Sequence, residues 1–278
     1  MSDNCCDQQQ SSSCCSGAVS KANESCCSAS NSCCGSDVIP KISTTLSTRD
    51  KIGAWKARWG INRNNYKVEP GLFAVGEPDS NSPVLVSANY KLTFDTLRKN
   101  LSGLNCWLLI LDTKGVNVWC AAGKGTFGTD ELVKRIEATG LKKIVTHRTL
   151  IVPQLGATGV SAHEVNRKSG FYVTFGPVRA NDIKDFILAG NIATKEMRIV
   201  KFNCWDRLVL APLELVASLK ISLAVIVVMF LLNFFAVRPF GLNDFIAYTL
   251  AVLTGTVLTP FLLPFIPGKA FAFKGWLL

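Results

Sequence analysis

Two long uncharged runs near the carboxyl end constrain this chain more than any other feature. Residues 221–237 are 17 consecutive residues without a charge, and residues 245–267 are 23. At a rise of about 1.5 Å per residue, helices of this length approach or exceed the roughly 30 Å hydrocarbon core of a bilayer. Buried helices of a soluble core are the alternative, but they rarely continue this far without a charge. The sequence therefore predicts a membrane region over residues 207–278 with at least two spans, and its apolar end predicts that further spans follow.

The distribution of charge predicts on which side of the membrane the preceding residues lie. Lys201, Arg207 and Lys220 precede the first run, and cytoplasmic segments next to membrane spans are enriched in Lys and Arg. We therefore expect a multi-pass protein of the cytoplasmic membrane whose preceding domain faces the cytoplasm. The net charge of +10 comes from scattered residues without a basic run interleaved with aromatics. An anionic membrane surface explains this charge better than a nucleic acid does.

Residues 1–47 are rich in Ser, Asn, Gln and Cys and contain few aliphatic side chains. This composition buries too little apolar surface to offset the entropy of ordering, which predicts a disordered tail. Eight of the 11 cysteines lie in it as adjacent pairs: Cys5 and Cys6, Cys14 and Cys15, Cys26 and Cys27, Cys33 and Cys34. The amino terminus has no export-signal pattern, so we expect free thiols in a reducing cytosol. The pairs could bind thiophilic ions, buffer redox changes or have no specific role.

Residues 48–206 have the pattern of a globular domain in which strands alternate with helices. The predicted strands are residues 84–88, 106–111, 149–152 and 171–175, and the predicted helices are residues 94–101, 129–139, 160–168 and 181–189. This alternation predicts βαβ units and a mainly parallel sheet in a Rossmann-like α/β fold. Ligands of such sheets bind in loops beyond the carboxyl ends of strands. The segment after Leu111 is such a loop, and it leads to Cys120.

Cys120 lies in the run NVWCAAGK, residues 117–124, which a glycine-rich loop follows. The small residues would let a flat ligand approach the backbone closely, and a thiol near a helix start with a lysine nearby is biased towards thiolate. Spacing alone is a weak signal, because a cysteine often serves as a small buried apolar side chain. That packing role is the one predicted for Cys106, within an apolar strand, whereas Cys204 near the membrane boundary has no assigned role.

Four groups of residues between about 48 and 214 resemble the corrinoid domain of the mercury-methylating corrinoid protein family. They are ANYKLTFD at 88–95, NVWCAAGK at 117–124, PQLGA at 153–157 with GVSAHEV at 159–165, and SGF at 169–171 with GPVRA at 176–180. The same stretch resembles, more distantly, the corrinoid iron–sulfur protein of acetyl-CoA metabolism. The predicted spans favour the mercury-methylating branch, since the iron–sulfur relative is soluble.

The resemblance implies a base-off corrinoid of the cobalamin type, with Cys120 as the lower axial ligand of cobalt. The residues implied around the corrinoid are Ser87, Thr93, Asn117, Val118, Trp119, Ala121, Ala122, Gly123, Lys124, Leu155, Gly156, Ala157, Gly159, Gly176 and Pro177. The Asp-x-His-x-x-Gly signature of corrinoid proteins that use histidine is absent, and the two histidines, His147 and His163, lack the neighbours it requires. For His163 a role at a helix start or in the core is expected.

The reaction that the resemblance implies is methyl transfer from methyl-Co(III) to Hg(II). Thiolate is a soft, strong donor, and donation trans to the methyl group should help it leave with its electron pair, as electrophilic Hg(II) requires. The chain has no ferredoxin-type cysteine spacing, so a ferredoxin-like iron–sulfur partner is implied, together with a folate-type methyl-donor methyltransferase. The alternatives are a methyl carrier of the acetyl-CoA type, a membrane-bound thiol protein that sequesters metal, and a cysteine-nucleophile hydrolase, for which no histidine partner can be argued.

Overall fold

The computed structural model describes residues 39–235, 239–268 and 270–277. The four cysteine pairs of the predicted tail therefore lie outside the described residues. Within them, an α/β region comes first along the chain, and apolar helices follow it.

A six-stranded sheet forms the centre of the α/β region. Its strands are β1 (Lys41–Ile42), β2 (Gly71–Val75), β3 (Val84–Ala88), β4 (Cys106–Leu111), β5 (Thr149–Val152) and β6 (Tyr172–Phe175). Their order across the sheet is β1-β2-β4-β3-β5-β6, and among these strand pairs only β2–β4 is antiparallel. Strands β3 and β4 are buried along their whole length, because helices cover both faces. The predicted α/β class with a mainly parallel sheet is confirmed.

Helices pack on both faces of this sheet. The helices of the region are α1 (Thr48–Arg58), α2 (Lys91–Asn100), α3 (Val118–Gly123), α4 (Thr129–Ala138), α5 (Leu141–Ile144), α6 (Ala162–Ser169) and α7 (Ile183–Leu188). Phe94 of α2 and Phe186 of α7 join one core, whereas α3, α4, α5 and α6 contribute to a second core on the opposite face. The chain therefore leaves β3 towards one face and its neighbour β5 towards the other. A crevice opens between such strands at their carboxyl ends.

The sequence located most of these elements but missed the first part of the domain. The strands predicted at 84–88, 106–111 and 149–152 are confirmed, and β6 begins one residue later than predicted. Helix α2 starts at Lys91, three residues before its predicted start. Strands β1 and β2 and helix α1 were not predicted, because β1 is two residues long and the apolar run of β2 is short.

Hydrogen bonds and ion pairs attach residues 43–50 to α2. This differs from the sequence prediction, which placed residues up to 47 in a disordered tail. Asp50 accepts hydrogen bonds from Lys91 Nζ at 2.7 Å and from Arg98 Nη2 at 2.8 Å. Arg98 also donates to two main-chain oxygens within residues 43–45, at 2.6 and 3.1 Å. The hydrogen bond from Lys91 holds the pKa of Asp50 well below its usual range. Residues 39–47 thus pack with the α/β region, and β1 joins its sheet.

Two helical stretches beyond the α/β region are long and apolar enough to cross a membrane, by length and composition. The first, Cys204–Phe234, contains α8 (Cys204–Leu208) and α9 (Ala211–Phe234); the second, Leu242–Leu262, contains α10 (Leu242–Leu253), a π-helical turn (Thr254–Leu258) and α11 (Thr259–Leu262). Their most apolar windows have mean hydropathies of 2.6 and 1.7 and are not buried, so neither is a core helix of the described chain. The second stretch ends at Leu262, two residues before Pro264, which has no N–H to continue the helical hydrogen bonds. A short α12 (Phe271–Leu277) follows.

Candidate functional site

One buried side-chain amide, that of Asn89 at the end of β3, holds the loop that follows β4. Its Oδ1 accepts hydrogen bonds from the main-chain N–H of Thr113 at 3.1 Å, from the Thr113 hydroxyl at 2.9 Å and from the main-chain N–H of Gly115 at 3.0 Å. Its Nδ2 donates to Asp112 Oδ1 at 3.1 Å. Asn89 is 1% exposed, so water does not compete for these bonds. The end of β3 thus fixes the loop that leads to Cys120.

Helix α3 begins at the end of this loop and presents Cys120 to solvent. The side-chain oxygen of Asn117 accepts from the main-chain N–H of Cys120 at 3.0 Å and so caps the helix. Cys120 is exposed, and the neighbouring Trp119 is 53% exposed, with its ring centroid 6.3 Å from that of Phe202. The capped turn therefore carries an accessible thiol in a fixed backbone conformation.

A cavity of about 350 Å³ lies at the carboxyl ends of β3, β5 and β6, beside the start of α3. Eight of the 15 predicted corrinoid contacts line it: Ser87, Thr93, Asn117, Val118, Trp119, Leu155, Gly176 and Pro177. Most of the remaining lining is aliphatic, from Leu85, Leu97, Ile151 and Ile183. The cavity is open on one side. Cys120 directly follows Trp119, the last lining residue on the turn that borders the cavity.

The other predicted contacts lie behind or beyond this cavity. Ala121 and Ala122 are buried in the core with Phe127. Gly156 and Gly159 are needed for that packing, because a Cβ at Gly156 would lie 2.5 Å from the Phe127 ring and a Cβ at Gly159 would lie 3.1 Å from Ala122 Cα. These four residues hold α3 against the core, and direct contact with a corrinoid stays a prediction for them.

Three further predicted contacts lie at the surface of the same end of the domain. Gly123 and Lys124 are exposed at the end of α3, and Ala157 is partly exposed after the 3₁₀ turn Gln154–Gly156. A Cβ at Gly123 would meet no atom within 4 Å, so the space above that backbone is open to a ligand.

The remaining thiols and the imidazoles have structural surroundings. Burial raises the pKa of the Cys106 thiol to about 12, as expected for the packing role predicted for it. His147 Nε2 lies 2.9 Å from the main-chain oxygen of Ser82, and its Nδ1 accepts from the main-chain N–H of Thr149. His163 is exposed in the first turn of α6, which confirms its expected place at a helix start. Among the residues that line the cavity there is no histidine.

Tyr90, next to Asn89, carries a buried hydroxyl that has no hydrogen-bond partner among the described residues. Burial raises the pKa of this phenol, and the guanidinium carbon of Arg63 lies 5.6 Å from its ring centroid. In the sequence, residues 88–95 were a mark of resemblance, and Thr93 was the one corrinoid contact predicted within them. The sequence prediction therefore missed that Asn89 positions the loop and that Tyr90 borders the cavity, although both residues were within the motif.

Comparisons with known proteins cover this part of the chain. Residues 59–187 match the family described as CO dehydrogenase/acetyl-CoA synthase delta subunit. The acetyl-CoA decarbonylase/synthase complex subunit gamma of Methanocaldococcus jannaschii is 35% identical over 127 residues, which are 45% of this chain and 26% of that protein. Subunit gamma 2 of Methanosarcina thermophila is 41% identical over 120 residues, which are 42% of this chain and 25% of that protein. The chain thus spans about a quarter of the length of these curated relatives, and its α/β region is similar to part of their sequence.

Proposed function

We propose that the α/β region binds a corrinoid and that the chain is a corrinoid-dependent methyltransferase. The observation that carries this proposal is the exposed thiol of Cys120 on a capped turn, beside an apolar cavity at the carboxyl edge of the sheet. The matched range, residues 59–187, contains the turn and the cavity. Its similarity to subunits of acetyl-CoA decarbonylase/synthase complexes supports corrinoid chemistry, since residues 88–95 and 117–124 resemble a corrinoid iron–sulfur protein of that metabolism.

The residues at this edge fit such a cofactor. An open cleft with aliphatic walls suits one face of a large flat ring, and Ser87, Thr93 and Asn117 offer polar groups to its amide substituents. The open backbone at Gly123 extends the same surface past Cys120. Thiolate sulfur is a soft and strong donor and would stabilise the Co(III) that carries a methyl group. A base-off form follows if Cys120 occupies the position that the nucleotide base would otherwise take.

A bound corrinoid would supply the cobalt that carries the methyl group. Cys120 would hold that cobalt through its sulfur, and the cap from Asn117 fixes the backbone from which the sulfur extends. Asn89 keeps the preceding loop in place. Trp119, packed against Phe202, would limit the access of water to the sulfur. Electron donation by the thiolate would favour departure of the methyl group with its electron pair.

For the methyl acceptor we propose Hg(II). A methyl group that departs as a carbanion needs an electrophile, and Hg(II) is one. Two apolar helices, Cys204–Phe234 and Leu242–Leu262, favour the membrane-bound mercury-methylating branch of the resemblance. The eight paired cysteines, from Cys5 to Cys34, lie outside the described residues; we propose that they collect thiophilic ions for this reaction.

A methyl carrier of the acetyl-CoA type is the second candidate, and the comparisons on their own favour it, because the relatives they name are subunits of acetyl-CoA decarbonylase/synthase complexes. Either function needs a folate-type methyl-donor methyltransferase and a ferredoxin-like iron–sulfur reductant as partners.

We propose that the chain lies in the cytoplasmic membrane with its α/β region in the cytoplasm. The charges of Lys201, Arg207 and Lys220 before the first apolar run support this location.

The ligand role of Cys120 is tested by comparing two alanine variants. Cys120→Ala should remove the cobalt–sulfur band from the visible spectrum of the corrinoid-loaded protein and abolish methyl transfer. Cys120→His should keep a bond to cobalt but retain little activity, because imidazole is the weaker donor. Cys106→Ala, at a buried position, should cost about 1 kcal/mol of stability and keep both properties. Equal spectra for Cys120→Ala and the wild type would exclude the ligand role.

The acceptor is tested with the methylated protein under anaerobic conditions. We expect methylmercury after addition of Hg(II), measured by mass spectrometry with an isotope-labelled methyl group. Transfer of the label to a nickel-containing acetyl-CoA synthase, with none to Hg(II), would establish the second candidate. Binding of Hg(II) without any bound corrinoid would instead support the metal-sequestering alternative.

A further inference from the structure

We propose that the outer face of α1 lies on the membrane surface and binds anionic phospholipid headgroups. Ile52 and Trp55 on this face are 50% and 57% exposed, and Ile61 just beyond α1 is 54% exposed. The ring of Trp59 lies 6.0 Å from that of Trp55, so the exposed apolar side chains continue along one side of the helix. Adjacent exposed apolar side chains of this size mark a contact surface. The inference rests on the proposal that the apolar helices cross a membrane.

The charges around these side chains select the kind of partner. Four basic residues, Arg49, Lys51, Lys56 and Arg58, are exposed on α1. The one acidic residue of the helix, Asp50, is engaged by Lys91 and Arg98 on the inner side. Lys and Arg around Trp and aliphatic side chains are typical of helices that lie in the plane of a membrane interface. An anionic lipid surface therefore complements this face.

Contacts on the inner face of α1 fix the orientation of the helix and therefore of its outer face. Ala57 is fully buried, and Gly53 lies so close to Tyr66 that a Cβ there would be 2.5 Å from the Tyr66 hydroxyl oxygen. With the bonds from Asp50 to α2, these contacts prevent the helix from turning its exposed tryptophan inwards. The exposed side chains are thus held in one orientation without a partner in the described chain.

The carboxyl end of α1 lies just outside the depth where headgroups are expected, within the length of a side chain. Gly60 is next to the first turns of α9, since a Cβ at Gly60 would be 3.4 Å from Leu213 Cδ1 and 3.9 Å from Val216 Cγ1. Lys220, the last charge before the uncharged run, is seven residues beyond Leu213, or about 10 Å along the helix axis. The headgroup layer outside the hydrocarbon core is roughly 5–8 Å thick. Arg58 and Ile61, beside Gly60, are therefore within reach of this layer.

The test uses the full chain in vesicles of phosphatidylcholine and phosphatidylglycerol that contain phosphatidylcholine brominated at shallow acyl positions. The chain has six tryptophans, so the signal of Trp55 is taken as the difference between the wild type and Trp55→Phe. We expect bromine to quench this signal. Quenching should fall when phosphatidylglycerol is replaced by phosphatidylcholine and in Lys51→Gln/Lys56→Gln, where each lost charge weakens surface association about fivefold.

Tyr172→Trp provides the control. Tyr172 is 65% exposed at the amino-terminal end of β6, whereas Arg179, which donates to Asp206 of α8, follows the carboxyl end of that strand. The added signal at Tyr172 should therefore stay unquenched. If Trp55 is unquenched while the chain resists extraction by alkaline carbonate, the surface contact is refuted and the spans are not. Extraction of the chain by carbonate would refute the spans and this inference together. Equal quenching in neutral vesicles would refute the preference for anionic headgroups.

Discussion

Replacement of Asn89 by alanine tests whether one buried amide positions the turn that carries Cys120. The variant removes the acceptor of three hydrogen bonds and the donor of one. Two donors keep a second acceptor, because the Thr113 N–H also donates to Leu111 O and the Thr113 hydroxyl to Val116 O. The Gly115 N–H is left without its side-chain acceptor inside the protein.

The expected loss of stability follows from the hydrogen bonds that the variant removes. A buried donor without an acceptor costs about 1–3 kcal/mol, and each weakened or lost neutral bond adds about 0.5–1 kcal/mol. We therefore expect Asn89→Ala to lower the free energy of unfolding by roughly 2.5–6 kcal/mol. The affinity for corrinoid should fall as well, because the loop that leads to Cys120 loses its attachment to β3.

The assay is urea unfolding of residues 39–206, followed by far-UV circular dichroism, with cobalamin binding titrated by visible absorption. Asn105→Ala is the matched control, since the Asn105 side chain accepts a single bond, from the main-chain N–H of Glu77, at an exposed position. It should cost less than about 1 kcal/mol. Equal losses of stability in the two variants would show that the buried network does not hold the loop.

Three further changes test other parts of the structure. Tyr90→Phe should leave the free energy of unfolding unchanged or raise it by up to about 1 kcal/mol, because its hydroxyl is buried without a partner; a clear loss in urea unfolding would reveal a missing contact. The pKa of Asp50 is lower in the folded state than in the unfolded chain, so its contribution to stability is present above about pH 4 and is lost as the pH falls. Unfolding measured from pH 6 to pH 3 should therefore have a shallower slope in Asp50→Asn than in the wild type. Cys106 should resist iodoacetamide at pH 8 until the protein unfolds, since burial raises the pKa of its thiol to about 12, whereas Cys120 should be alkylated in the folded protein and protected by cobalamin. Peptide mass spectrometry measures both.

The sequence was sufficient for elements whose apolar pattern is continuous. The β3 and β4 runs are apolar throughout because helices cover both faces of those strands, and this is why their bounds were predicted correctly. β1 could not be predicted in this way, because two residues are too few to show an alternation of apolar and polar side chains. It is recognisable as a strand only from its pairing with β2. The attachment of residues 43–45 likewise depends on Arg98, more than 50 positions later, and such a contact has no local signal.

The location of the candidate site stays a prediction, and the structure adds how its residues pack. A loop beyond a parallel strand is a general place for ligands, and Cys120 follows β4 in such a loop. The resemblance implies Ala121, Ala122, Gly156 and Gly159 as contacts of the cofactor, and the structure shows them packed around Phe127. Their contact with a cofactor stays a prediction. Small residues permit close approach by a ligand and by a neighbouring helix equally, so sequence alone does not separate the two uses.

The choice between Hg(II) and an acetyl-CoA synthase as methyl acceptor depends on residues that the comparisons do not cover. The matched range, residues 59–187, contains Asn89, Cys120 and the cavity, which either reaction would use in the same way. The apolar helices begin at Cys204, and the cysteine pairs end at Cys34, so both features lie outside that range. Similarity inside the range therefore supports corrinoid binding, and the relatives that it names favour the acetyl-CoA type of carrier. A carrier that delivers its methyl group to a large enzyme needs an open protein-docking surface around the cofactor, whereas delivery to a small ion needs only access to the methyl group and a supply of ions. The two apolar helices and the eight paired cysteines would serve the second requirement, and the proposal of Hg(II) rests on them.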